Sequence, residues 1–104
     1  MKIKVPPEIK IGVHTYNISL DRNLRADNDR LGEINHRAQT IKIWMDAPPS
    51  MKDVSLIHEV LHVAEYCYRV NIIDADVDRI AHCICEFLGN LGVEFDWRDI
   101  KEGG

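Results

Sequence analysis

What this chain lacks narrows it first. No apolar run approaches the roughly 18 residues that a membrane helix needs. The opening residues, Met1-Lys2-Ile3-Lys4-Val5-Pro6-Pro7, carry charge with no apolar stretch behind it, so they do not read as a secretory signal. Positive charge is not in excess: 13 Lys and Arg stand against 17 Asp and Glu, a net charge of −4. A generic binder of nucleic acid carries the opposite balance. The 3 cysteines are odd in number and follow no framework spacing, which argues against a disulfide scaffold. Internal repeats and low-complexity tracts are missing too. What is left is 104 residues, 45% hydrophobic and 29% charged. That composition and length predict one domain over residues 1–104, soluble and cytoplasmic, with no membrane or nucleic-acid partner.

The first half reads as strands. Tyr16, Ile18 and Leu20 alternate with Asn17 and Ser19, the period-2 signature of a half-buried strand. Ile9 and Ile11 alternate in the same way, and Gly12 supplies a turn between the two runs. Residues 21–30 are polar and charged and read as an exposed loop. Two more short strands are expected over 31–36 and 39–44, turning at His36-Arg37-Ala38. Ile41 and Ile43 point to one face, Lys42 and Trp44 to the other.

The second half reads as two helices. Pro48-Pro49 stops the strand region. Ser50 is the expected N-cap, with Asp53 near the positive helix end. Val54, Ile57, Leu61, Ala64 and Tyr68 form an apolar stripe at helical spacing, and Asn71 is the expected left-handed stop. Asp74 is the expected N-cap of a second helix with the stripe Val77, Ile80, Ala81, Ile84 and Leu88, ending at Gly89 and Gly92. The tail from Val93 onward packs back in no readable form. Strands followed by helices predict an α+β domain: a small antiparallel sheet, then a two-helix hairpin.

Chemistry enters with His58-Glu59-Val60-Leu61-His62, an H-E-x-x-H inside the first predicted helix. Residues four apart lie about 40° apart around a helix and about 6 Å apart along it. Both imidazoles therefore converge on one ion. Zinc takes neutral imidazole nitrogen and favours four ligands. Glu59, about 100° round from His58, borders the same site, where a carboxylate serves as general base towards a metal-bound water.

A zinc site needs a third protein ligand. The second helix offers Asp74, Asp76, Asp78, His82, Cys83, Cys85 and Glu86. A hairpin turning near Asn71 and Ile72 brings His62 level with about residue 81 at 1.5 Å per residue. That ranking puts Asp78 first, His82 next, and Asp74 as an outer partner. The Asp74, Asp76, Asp78 run lacks the glycine and glutamate of a calcium loop.

With these residues in place, the chain resembles the zincin superfamily of metallopeptidases. More narrowly, it is similar to the minimal zincin-like proteins often encoded by phages and prophages, related to the antirepressor-cleaving zinc endopeptidases. The resemblance runs from Gly12-Val13-His14-Thr15-Tyr16 through Gly32-Glu33-Ile34-Asn35 and Gln39-Thr40-Ile41-Lys42-Ile43 to the H-E-x-x-H and Val77-Asp78-Arg79-Ile80-Ala81. It implies zinc held by His58 and His62, Glu59 as general base, and an acidic third ligand that maps best to Asp78. It also implies a peptide or protein substrate paired with the strand before the motif helix, here residues 39–44. An aspartate stands where that family usually carries glutamate, and no further histidine extends the motif.

Two other readings compete with a zinc peptidase. One is a zinc-stabilised binding module in which His58 and His62 join Cys83 or Cys85. The other is a zincin that binds a partner and cleaves nothing. Elsewhere, Cys67, Cys83 and Cys85 read as core residues, His14 and His36 as exposed turn neighbours, and Trp44 and Trp97 as core. Glu65 and Arg69, four apart, read as a surface pair.

Overall fold

Two hairpins build the sheet of this computed structural model, which describes residues 1–25 and 31–103. Gly12, at φ +61°, turns the chain between β2 (Glu8–Ile11) and β3 (His14–Asp21), a backbone angle that glycine adopts without Cβ strain. The second hairpin joins β4 (Gly32–Asn35) to β5 (Thr40–Trp44). Its turn holds Gln39 at φ +55°, and the Ala38 N–H donates to Asn35 Oδ1 at 2.9 Å. The order across the sheet is β2-β3-β5-β4.

The sheet is mixed rather than purely antiparallel. β3 and β5 run parallel, with Ile18 beside Ile41 and Leu20 beside Ile43. Burial accounts for the order. Ile41 and Ile43 are fully buried, so β5 takes a central place with a neighbour on each side. β4, which carries Gly32 and Glu33, goes to the edge. The expectation that residues 39–44 pair with a substrate is therefore corrected: both edges of β5 are already used, and among the described residues the edge strands of this sheet are β2 and β4.

Alternation along β3 buries Tyr16, Ile18 and Leu20. They meet Val5, Leu56, Val63 and Ile100 in one core. The expected loop over 21–30 is partly revised. Asp21 ends β3 and Leu24 is buried, while residues 26–30 lie outside the described residues.

α1 (Pro49–Tyr68) starts two residues earlier than expected, with Pro48 rather than Ser50 in the cap position and Pro49 at the first helical residue. Proline suits that place because its missing N–H has no helical partner there. Arg69, at φ +55°, ends the helix ahead of Asn71. The face of α1 in the core is also shifted. Leu56, Glu59 and Val63 are buried, whereas Val54, Ile57, Leu61 and Ala64 are half-buried and Tyr68 is exposed. α1 touches the sheet through β2, β4 and β5 and also touches α2 (Asp74–Asn90), so it has two apolar flanks. A single-stripe reading picks out only one of them.

α2 begins after Ile73, with Asp74 and Asp76 in its first turn against the positive helix end. Val77 and Ala81 are fully buried; Ile80 is 38% exposed. The helix runs through Gly89 to Asn90. The tail then forms β6 (Glu94–Asp96), paired in parallel with β1 (Lys2–Lys4). Trp97, half-buried, donates its indole N–H to Asp53 at 2.8 Å, which pins the tail to α1. No helix among the described residues is long and apolar enough to cross a membrane.

Candidate functional site

A cleft of about 910 Å³ lies between the edge strand and the helix pair. β4 and the following His36 form one wall, and Asp74, Asp78 and His82 of α2 form the other. His58, Glu59 and His62 line it from α1. The helical spacing thus puts the whole H-E-x-x-H in one concave surface.

The two imidazoles are set from behind. His62 Nδ1 lies 2.8 Å from Glu65 Oε1, and its N–H donates to that carboxylate. His58 Nδ1 lies 3.5 Å from Asp78 Oδ1. The Glu65 hydrogen bond favours the His62 tautomer with hydrogen on Nδ1 and a lone pair on Nε2, and the longer Asp78 contact biases His58 the same way more weakly. The two Nε2 atoms face each other at 3.1 Å. At that separation one ring can share a hydrogen bond with the other, and with hydrogen on both Nδ1 atoms the same two nitrogens offer lone pairs to a cation. Two ligands of a tetrahedral zinc, each about 2.0–2.1 Å from the ion, lie about 3.3 Å apart. The donor chemistry and spacing of this pair therefore fit a zinc ion. No third His, Cys, Asp or Glu among the described residues joins the pair in a ready-made metal cluster.

Asp78 sits behind His58 and beside His82. The His82 Nδ1–H donates to the Asp78 carbonyl at 2.9 Å, and the ring is 3.6 Å from Asp78 Oδ2. Asp74 lines the cleft, while Asp76 turns to Arg79 at 3.0 Å. Cys83, Cys85 and Glu86 do not line the cleft, and Cys83 is exposed rather than core. Cys85 is half-buried on another side, near Asp53 and Leu88, where burial pushes its thiol above the usual value. Cys67 is half-buried against the Ile11 carbonyl.

Glu59 is only 7% exposed, a burial that a carboxylate tolerates only with partners. Gly32 makes its position possible. A Cβ at Gly32 would come within 3.2 Å of Glu59 Cγ and 3.4 Å of Oε1, so the β4 backbone lies directly on the glutamate.

Several neighbours of the motif carry no sequence signal of their own. Glu65 does not pair with Arg69; it holds His62 and also accepts the Ile72 N–H at 3.3 Å, which ties down the link between the helices. His14 and His36 are half-buried, not exposed. They surround Tyr66, which stacks on His36 with ring centres 4.2 Å apart. Tyr16, wholly buried, sets its hydroxyl 2.9 Å from His36 Nδ1. Burial pushes the Tyr16 phenol up, helped by Cys67 and Tyr66. Burial and the nearby His62 and His14 hold His36 below the usual imidazole value. Tyr16 is legible as an inward position of β3, but nothing in the sequence links it to a histidine 20 residues on. No protein-family model, curated protein or solved structure matches this chain.

Proposed function

We propose that this chain is a small zinc-dependent peptidase of the zincin-like kind. One observation carries the reading: two imidazoles, each backed by a carboxylate at Nδ1, turn their Nε2 atoms towards each other at 3.1 Å beside a buried glutamate. Zinc held by His58 and His62 would supply Lewis acidity and a water acidified towards neutral pH. Glu59 takes the proton of the attacking water and returns it to the leaving amine. Its burial under Gly32 keeps that carboxylate in one place. Asp78 belongs to the centre as the carboxylate behind His58. For Asp78 to ligate, its half-exposed side chain has to swing from the Nδ1 side to the Nε2 side. A peptide substrate enters beside β4, which lines the cleft and whose outer edge pairs with no other strand among the described residues.

A closed structural site with Cys83 or Cys85 gains no support, since neither lines the cleft. A zincin-like domain that binds without cleaving differs from the proposal in turnover alone. The test is elemental mass spectrometry with a peptide-cleavage assay on wild type, His62→Ala and Glu59→Gln. The expected result is zinc in wild type and Glu59→Gln, none in His62→Ala, and hydrolysis cut by at least about a hundredfold in Glu59→Gln. Wild-type turnover in Glu59→Gln, or a wild type that takes up no zinc, overturns the reading.

A further inference from the structure

The hydroxyl of Tyr16 is wholly buried, and His36 Nδ1 is its one hydrogen-bond partner among the described residues. That pair has two possible proton arrangements. Either the phenol donates to Nδ1, or Nδ1–H donates to the phenol oxygen. In the second, the phenol proton is left buried with no acceptor, at a cost of roughly 1–3 kcal/mol. The first arrangement wins, so Nδ1 carries the lone pair and the hydrogen of neutral His36 sits on Nε2. No hydrogen bond to Nε2 is formed among the described residues, and no buried polar side-chain atom there goes without one. Nε2 therefore keeps contact with solvent, on a ring that lines the cleft together with His58, Glu59 and His62.

His36 is thus the opposite of the two motif histidines. They offer lone pairs from Nε2; it offers a hydrogen. Stacking on Tyr66 and the Tyr16 bond hold the ring in place before anything binds. Pre-set donors of this kind stabilise developing negative charge, because they need no rearrangement when the charge appears.

We propose that His36 is a further catalytic residue of this cleft: its Nε2–H donates to the substrate oxygen on which negative charge builds during peptide hydrolysis. Tyr16 is then a positioning residue that selects the tautomer. The proposal rests on the peptidase reading, and its test separates the two.

Long-range nitrogen–proton NMR of the metal-free chain at about pH 8, where an ordinary histidine is neutral, reads the His36 tautomer directly. The expected form is Nε2–H in wild type and a tautomer mixture in Tyr16→Phe. Zinc content is then measured in wild type, His36→Ala and His36→Gln, along with affinity for an N-phosphoryl dipeptide, whose tetrahedral anion imitates the hydrolytic transition state. Unchanged zinc content, roughly 10- to 100-fold weaker probe binding in His36→Ala, and partial recovery in His36→Gln support the proposal. Glutamine places an N–H near the position of Nε2, so it serves as the conservative rescue.

An Nδ1–H tautomer, or unchanged probe binding in a zinc-loaded His36→Ala, overturns the donor role and leaves the peptidase reading standing. Zinc lost in both His36 variants makes His36 a ligand and overturns the donor role too. A wild type that takes up no zinc, or a zinc-loaded wild type that ignores the probe, overturns both.

Discussion

Replacing Glu65 with alanine tests the metal centre without knowledge of any substrate. Glu65 is a half-buried carboxylate whose Oε1 takes the His62 Nδ1–H at 2.8 Å, while Oε2 takes the Ile72 N–H at 3.3 Å. Removing it frees the His62 ring to rotate and to move its hydrogen to Nε2, the atom needed as a ligand. Losing such an outer partner typically weakens metal binding about 10- to 100-fold, which is about 1.4–2.7 kcal/mol. The metal-free fold also loses two hydrogen bonds, one within α1 and one to the helix link, roughly 1–2 kcal/mol together. Competition against a chromophoric chelator reads the first effect, and denaturant unfolding without metal reads the second. Asp78→Ala is expected to weaken zinc less, because its contact to His58 is 3.5 Å and its side chain is 57% exposed. Asp76→Asn, whose partner is Arg79 outside the cleft, serves as the control and should leave zinc affinity unchanged. Equal zinc affinity in Glu65→Ala and wild type would refute the reasoning.

Two further substitutions probe the scaffold. In Gly32→Ala, the new Cβ would lie 3.2 Å from Glu59 Cγ, so the glutamate must move by a few tenths of an ångström. At about a hundredfold per ångström of misplacement, turnover should fall roughly fourfold, with about 1 kcal/mol lost from overpacking. Unfolding and kinetic assays check both, and a faster enzyme would contradict the contact. Asp96→Asn addresses acid stability. Arg98 grips the Asp96 carboxylate through Nε and Nη2 at 2.7–3.1 Å and through its backbone N–H at 3.0 Å, which holds the acid down at about 2. An ordinary aspartate titrates at about 3.9, so this grip stabilises the fold above about pH 4 and is lost as pH falls towards about 2. Acid unfolding curves should show that limb in wild type and a flatter one in Asp96→Asn.

Local patterns in the sequence carry much of this fold. Alternation at Tyr16, Ile18 and Leu20 depends only on a strand having a wet and a dry face, and it holds. The helical spacing of His58 and His62 likewise places both rings in one cleft without help from the rest of the chain. What depends on partners distant in sequence was not legible. The parallel join of β3 to β5, and hence the edge position of β4, is set by which strand buries most apolar surface. The inner face of α1 is not the single stripe its spacing suggests, because the sheet and α2 each claim a flank. Pro48 displaced Ser50 as the cap through backbone angles that a residue-type rule does not see. Among the site residues, Asp78 was placed near the histidines by counting helix rise, and it does reach His58. His36 read as a turn residue because its importance comes from a tyrosine on another hairpin.

The parallel seam between β3 and β5 has a kinetic consequence. Each hairpin closes over a short turn, so β2–β3 and β4–β5 can form early and independently. Neither hairpin alone buries Ile18 against Ile41. That contact needs the chain between β3 and β4 to close a loop, whose entropy must be lost before the seam returns any energy. The expected bottleneck in folding is therefore the meeting of two preformed hairpins, with the seam as nucleus. Side chains such as Ile18 and Ile41 then control how fast the protein folds. Asp96 and Arg98, in the ribbon that follows α2, control mainly how slowly it comes apart.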